Sequence, residues 1–148
     1  NKGKNLTTAE AERLFSLALK SNPGDPLIAL WYAKLLKNDG KFAQAELMYK
    51  VAYESCMSLR KLRDKHEADL PAGVSRNSIS AKGGRTLRVE AAVICNYAAF
   101  LYRVRKNVDR AKLLLFDGIE RFPSHKGINK AIASLLKNCR KSFIDTYF

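Results

Sequence analysis

The side chains with the most chemistry to offer in this sequence are cations. Arg103, Arg105, Lys106, Arg110 and Lys112 stand close together, and Lys137, Arg140 and Lys141 form a second group. Arg76, Lys82 and Arg85 make a third, in a stretch that holds no acid. Guanidinium and ammonium groups at this density attract phosphates or carboxylates, with an affinity that falls as salt rises. Reading a nucleotide sequence would also need stacking aromatics among the cations. Most Tyr and Phe fall at core spacings, so Tyr102, Tyr147 and Phe148 are the ones expected to be free. Trp31, the one tryptophan, is expected in the core because of its size.

Catalytic chemistry is not expected. The sequence has no HExxH, no paired carboxylates and no nucleophile beside a base. Lys82-Gly83-Gly84-Arg85 lacks the spacing of a phosphate-binding loop and reads as a hinge. Cys56, Cys95 and Cys139 are far apart, with no CxxC pair and only His66 and His125 as histidines. No metal or cofactor is implied by that set. Both histidines are expected in solvent, and Cys95 is expected to pack as a small hydrophobe. An odd number of free thiols fits an intracellular, reducing compartment. The cytoplasm is the first expectation, the nucleus or an organelle the alternative.

Charge is large and uneven. The chain of 148 residues carries a formal +13. Residues 1–60 hold 9 Lys/Arg against 6 Asp/Glu, whereas residues 61–148 hold 18 against 8. Such a field favours an acidic partner. Hydrophobic residues make up 47%, enough for a core, and no apolar run approaches the roughly 20 residues of a membrane span. The chain opens at Asn1 rather than Met, as a fragment or a processed form would. Oligomeric state is not legible.

The elements that must carry these groups read as helices. Ala11, Phe15 and Ala18 recur as Ala45, Tyr49 and Ala52, and again as Ala111, Leu115 and Gly118. Small, large, small at spacings of four and three marks one helix stripe where a neighbour approaches closely. Thr7 to Glu10 reads as a capping box opening a helix at Thr8. Asp25-Pro26 starts a second helix, which Asp39-Gly40 ends. A third begins near Phe42, and Arg60–Asp69 has the composition to extend it. Residues 70–86 read as a loop rich in Pro, Gly and Ser. Further helices are expected from Leu87 to Val104 and from Asp109 to Arg121. A last one starts near Ser124 or Lys126, with Ile128, Ile132, Leu135, Leu136 and Cys139 inward.

This pattern resembles the tetratricopeptide repeat, a helix–turn–helix unit of about 34 residues. The best match is Pro26–Met57, with Ala33 at the small position, Leu36 at the last large one, Gly40 at the turn, and Ala45, Tyr49 and Ala52 in the second helix. The resemblance implies an all-α fold, an antiparallel helix-pair solenoid of about six or seven helices. It implies one domain over 1–148: a partial repeat at 9–23, a repeat at 24–57, a helix extension and basic loop insertion at 58–86, a repeat at 87–123, and a capping helix at 124–148. In the repeat at 87–123, two registers compete. A turn one residue longer than in the second unit puts Ile94, Tyr97, Ala98 and Leu101 in the core together, and is preferred. The chain is also similar, less closely, to the half-a-tetratricopeptide repeats of RNA-processing proteins, through Tyr32-Ala33 and Tyr97-Ala98-Ala99-Phe100.

In the tetratricopeptide family the first helix of each unit lines a concave groove. That resemblance implies a positive trough formed by Lys34, Lys37, Arg103, Lys130 and Lys137. Leu30 stands where a lysine of the family's carboxylate clamp would be expected, so capture of a chain terminus is not implied. Two functions remain open. The leading one is a non-catalytic scaffold that docks an acidic protein surface or peptide within a larger assembly. The alternative is an RNA-associated protein that grips phosphates in a ribonucleoprotein or organellar ribosome.

Overall fold

The computed structural model describes residues 6–69 and 80–147, and the side chains of 6–66, 68–69 and 87–140. Among these, all regular structure is helical. The helices are α1 (Thr8–Ser21), α2 (Pro26–Asn38), α3 (Phe42–Ala68), α4 (Ser80–Arg103), α5 (Val108–Arg121) and α6 (Lys126–Tyr147). The chain forms two compact units, residues 1–89 and 90–148.

Local chemistry accounts for the helix starts. Thr7 accepts from the Glu10 amide and Glu10 reaches back to the Thr7 amide, closing the expected capping box of α1. The Asp25 carboxylate accepts from the Leu27 amide at 2.9 Å, ahead of Pro26. Asn107 does the same for Arg110 at the start of α5. α3 runs on through Arg60–Ala68, because Lys, Arg, Glu and Leu sustain a helix without a breaker.

One boundary differs from the sequence expectation. α4 begins at Ser80 rather than near Leu87, so Lys82-Gly83-Gly84-Arg85 is helix and not a hinge. Each glycine costs about 1 kcal/mol in a helix interior. The surrounding Ala, Lys, Arg and Leu favour helix, and a helix already nucleated by packing further along extends at little cost.

In the first unit, α2 packs on both α1 and α3. Ala29, Leu30, Ala33 and Leu36 of α2 are buried, as are Ala45, Tyr49, Ala52 and Cys56 of α3. The stripe Ala45, Tyr49, Ala52 is 0% exposed at all three positions. Burial pushes the Tyr49 hydroxyl up to about 12, so it stays neutral. The same stripe in α1 is only half-buried, with Phe15 stacked on Tyr32 at 5.8 Å. Lys41 holds the α2–α3 turn to α1 through Glu12 at 2.7 Å, and this hydrogen bond raises the lysine above its usual range.

In the second unit, Ile94, Tyr97, Ala98 and Leu101 of α4 are all buried together. Gly118 of α5 is the meeting point: a methyl there would sit 3.0 Å from Ile94 Cγ2 and 3.3 Å from Ile128 Cδ1. The third position of the stripe is therefore glycine here because α4 and α6 both close on it. Glu90 is 1% exposed, and its Oε1 lies 3.0 Å from Arg121 Nε.

The turns repeat between the units. Asn22 donates to Ala18 O and Asp25 to Asn22 O between α1 and α2; Phe122 donates to Gly118 O and His125 to Phe122 O between α5 and α6. His125 fills the capping role of Asp25, its Nδ1 accepting from the Ile128 amide at 3.3 Å. It is half-buried, not solvated as its sequence setting suggested, because the ring lies against Gly127.

The other turn pair explains the longer connection. After α2, Gly40 takes φ 79° and Lys41 donates back to Leu36 O. After α4, Lys106 takes φ 57°, and the extra residue is absorbed by one wider bond, Asn107 to Leu101 O, while Arg105 to Phe100 O has the same span as Lys41 to Leu36 O. A left-handed residue costs about 1 kcal/mol or more unless it is glycine. Gly40→Ala should therefore lower stability by about 1 kcal/mol, and Lys106→Gly should raise it by up to about 1 kcal/mol. Denaturant titration of both variants checks this; equal midpoints would refute the assignment.

Candidate basic interface

The structure brings part of the expected trough together within the second unit. Arg103 closes α4, and its Nη2 donates to the Ser134 hydroxyl of α6 at 3.1 Å. Its guanidinium carbon lies 5.4 Å from the ring centroid of Tyr102. The arginine is thus held between an aromatic ring and a hydroxyl, and less of its rotamer freedom remains to be lost on binding. Lys130 and Lys137 stand one turn before and one turn after Ser134, on the same face of α6, and both are exposed. Arg140 is exposed one turn beyond Lys137. No acid occurs in α6 from Lys126 to Arg140. Three cations therefore gather around Ser134 without a carboxylate from that stretch of helix.

Lys34 and Lys37 lie on α2 in the first unit, the former exposed and the latter half-buried. Among the second group, Arg105, Lys106, Arg110 and Lys112 are all exposed. They do not share one face. Arg110 leans over the Tyr97 ring at 5.9 Å, and Lys112, two residues on, lies about 200° round α5. Arg76 lies outside the described residues. Lys82 and Arg85 belong to α4 and Lys141 to α6, with side chains outside the described set.

Three aromatic and apolar expectations are corrected. Tyr102, at the end of α4, is buried and has the Arg103 guanidinium over its ring, so it is not free to stack on a base. Trp31 is 51% exposed rather than core, because Tyr32 and Ala33 take the inward positions of α2 and leave residue 31 on the outer face. Asn96, the α4 counterpart of Trp31 when Tyr97 is matched to Tyr32, is polar; that was the available signal that the position faces outward. Leu136 is 62% exposed, because its counterpart in α2, Leu36, is covered by α3 and no described helix follows α6. Tyr147 and Phe148 have side chains outside the described set.

Cys56 is buried, and burial pushes Cys95 up to about 11, which leaves it protonated at neutral pH. Among the described residues no group of three or more His, Cys, Asp or Glu could hold a metal ion. No described helix is long and apolar enough to cross a membrane. Comparison of the chain with known protein families, with curated protein sequences and with solved structures finds no match.

Proposed function

We propose that this protein is a non-catalytic scaffold of tetratricopeptide-like helix pairs, and that it docks an acidic protein surface within a larger assembly. The observation that carries this reading is the cationic face of α6 around Ser134, with Arg103 pinned into it from α4. Carboxylates suit such a face, since an anchored guanidinium offers paired donors and the flanking lysines add point charges. The repeated turn bonds and the buried small–large–small stripes support the helix-pair frame. Free thiols fit a reducing compartment.

The test is binding of fluorescent polyglutamate across a salt series, followed by anisotropy. Reversing Arg103, Lys130 and Lys137 to Glu should weaken binding at least tenfold and leave the helical circular dichroism unchanged. Unaltered binding would sink the proposal. So would oligouridine held more tightly than polyglutamate at the same salt, which would move the protein to the RNA-associated class.

A further inference from the structure

Trp31 contributes half of its surface to solvent, on a helix that has ample small and aliphatic residues for its own packing. Leu27, Trp31, Lys34 and Asn38 follow one another at spacings of four, three and four, so they lie along one face of α2. Lys37 sits at the edge of that face. Tyr32 is turned away to stack on Phe15 of α1, with the rings 15° from parallel, which fixes the orientation that leaves Trp31 outward.

The face is polarised along its length. Its first half is apolar, Leu27 and then the indole. Its second half carries Lys34 and Asn38, with half-buried Lys37 at the edge, and Asp39 beyond it is paired with Lys41 at 3.5 Å. The carboxylate of Asp25 stands at the apolar end, already engaged with the Leu27 amide. No acid occurs within α2 itself. A single-stranded nucleic acid carries a phosphate on both sides of every base, so a stacking ring serves it best with cations on both flanks. Here a carboxylate stands at each end of the helix, Asp25 before it and Asp39 after it, and the cations lie on one side of the ring only. A peptide with an apolar side chain at one end and carboxylates at the other matches both halves.

We infer that this α2 face docks an acidic segment of a partner protein that is led by a large apolar side chain. The inference rests on the scaffold reading above and adds a second contact to it, in the first unit. Tryptophan is well suited as the anchor, because it brings a large rigid area with few torsions to freeze. The helix rise places Lys34 about 5 Å and Lys37 about 9 Å beyond Trp31 along the axis. An extended peptide advances about 3.3 Å per residue, so its carboxylates belong between one and two, and about three, residues after the anchor.

The sole tryptophan of the chain supplies the readout. The probes are a synthetic peptide with one leucine followed by a run of glutamates, both termini blocked, and the same peptide with serine in place of leucine. The leucine peptide should shift Trp31 emission to the blue in a saturable way, and the serine peptide should bind at least tenfold more weakly. With a labelled leucine peptide, Trp31→Ala should cost at least tenfold and Trp31→Phe far less. Lys34→Glu with Lys37→Glu should cost at least tenfold and flatten the salt dependence. Circular dichroism should be the same throughout. The inference is overturned if the leucine peptide leaves the emission unmoved, or if oligouridine quenches Trp31 at lower concentration than the peptide acts. It is also overturned, with the scaffold reading intact, if peptide binding survives Trp31→Ala and is lost only on reversal of Arg103, Lys130 and Lys137.

Discussion

Gly118→Leu is expected to destabilise the second unit by about 3 kcal/mol or more, the upper part of the range for overpacking a filled core. Even a single methyl at this position would stand 3.0 Å from Ile94 Cγ2 and 3.3 Å from Ile128 Cδ1. Both isoleucines are fully buried, so neither can swing into solvent to make room. Gly118→Ala is the informative intermediate. Alanine gains about 1 kcal/mol of helix propensity, and the tight methyl opposes it, so the net change should be near zero. Gly24 provides the control, since a methyl there meets nothing within 4 Å. Chemical denaturation should therefore order the variants as Gly24→Ala unchanged, Gly118→Ala close to it, and Gly118→Leu far below. A Gly118→Leu protein with an unchanged midpoint would mean that α4 and α6 do not close on α5 as described.

That glycine illustrates how far the sequence can be read. The stripe of Ala111, Leu115 and Gly118 is visible as a small–large–small spacing, and it marks a helix crossing without saying how close the crossing is. The starts of α1 and α2 were legible for a local reason: Thr7 and Asp25 each act on an amide two or three residues away. The preferred register of α4 was legible because one choice alone buries Ile94, Tyr97, Ala98 and Leu101 together. What stayed hidden depends on neighbours remote in sequence. Tyr102 and Trp31 have similar chemistry, yet one is covered and the other bare, and the difference lies in which helix stands opposite. Arg103 shows the same for the candidate interface. Its charge is evident from its letter, but its seat on Ser134, a residue 31 positions away, is a tertiary fact. Lys106 is a smaller case: nothing in a lysine announces a left-handed turn, and it occurs where the wider Asn107-to-Leu101 bond closes the turn.

The second large effect is expected at the buried ion pair of the same unit. Arg121→Ala should cost about 3 kcal/mol, the low end of the range for removing one partner of a buried pair. The low end applies because the guanidinium is 25% exposed, whereas the carboxylate of Glu90 is 1% exposed and cannot reach water without moving α4. The pair is not ideal in geometry. Arg121 Nε lies 3.0 Å from Oε1, and the bond from Nη2 to Oε2 is long at 3.5 Å. One consequence separates this account from simple loss of packing. Glu90→Leu combined with Arg121→Met should lie well above Arg121→Ala, since apolar replacement of both partners leaves no charge to compensate. Denaturation of these variants at neutral pH decides the matter. If the double variant is no more stable than Arg121→Ala, the side chain of Arg121 acts through its bulk and not its charge.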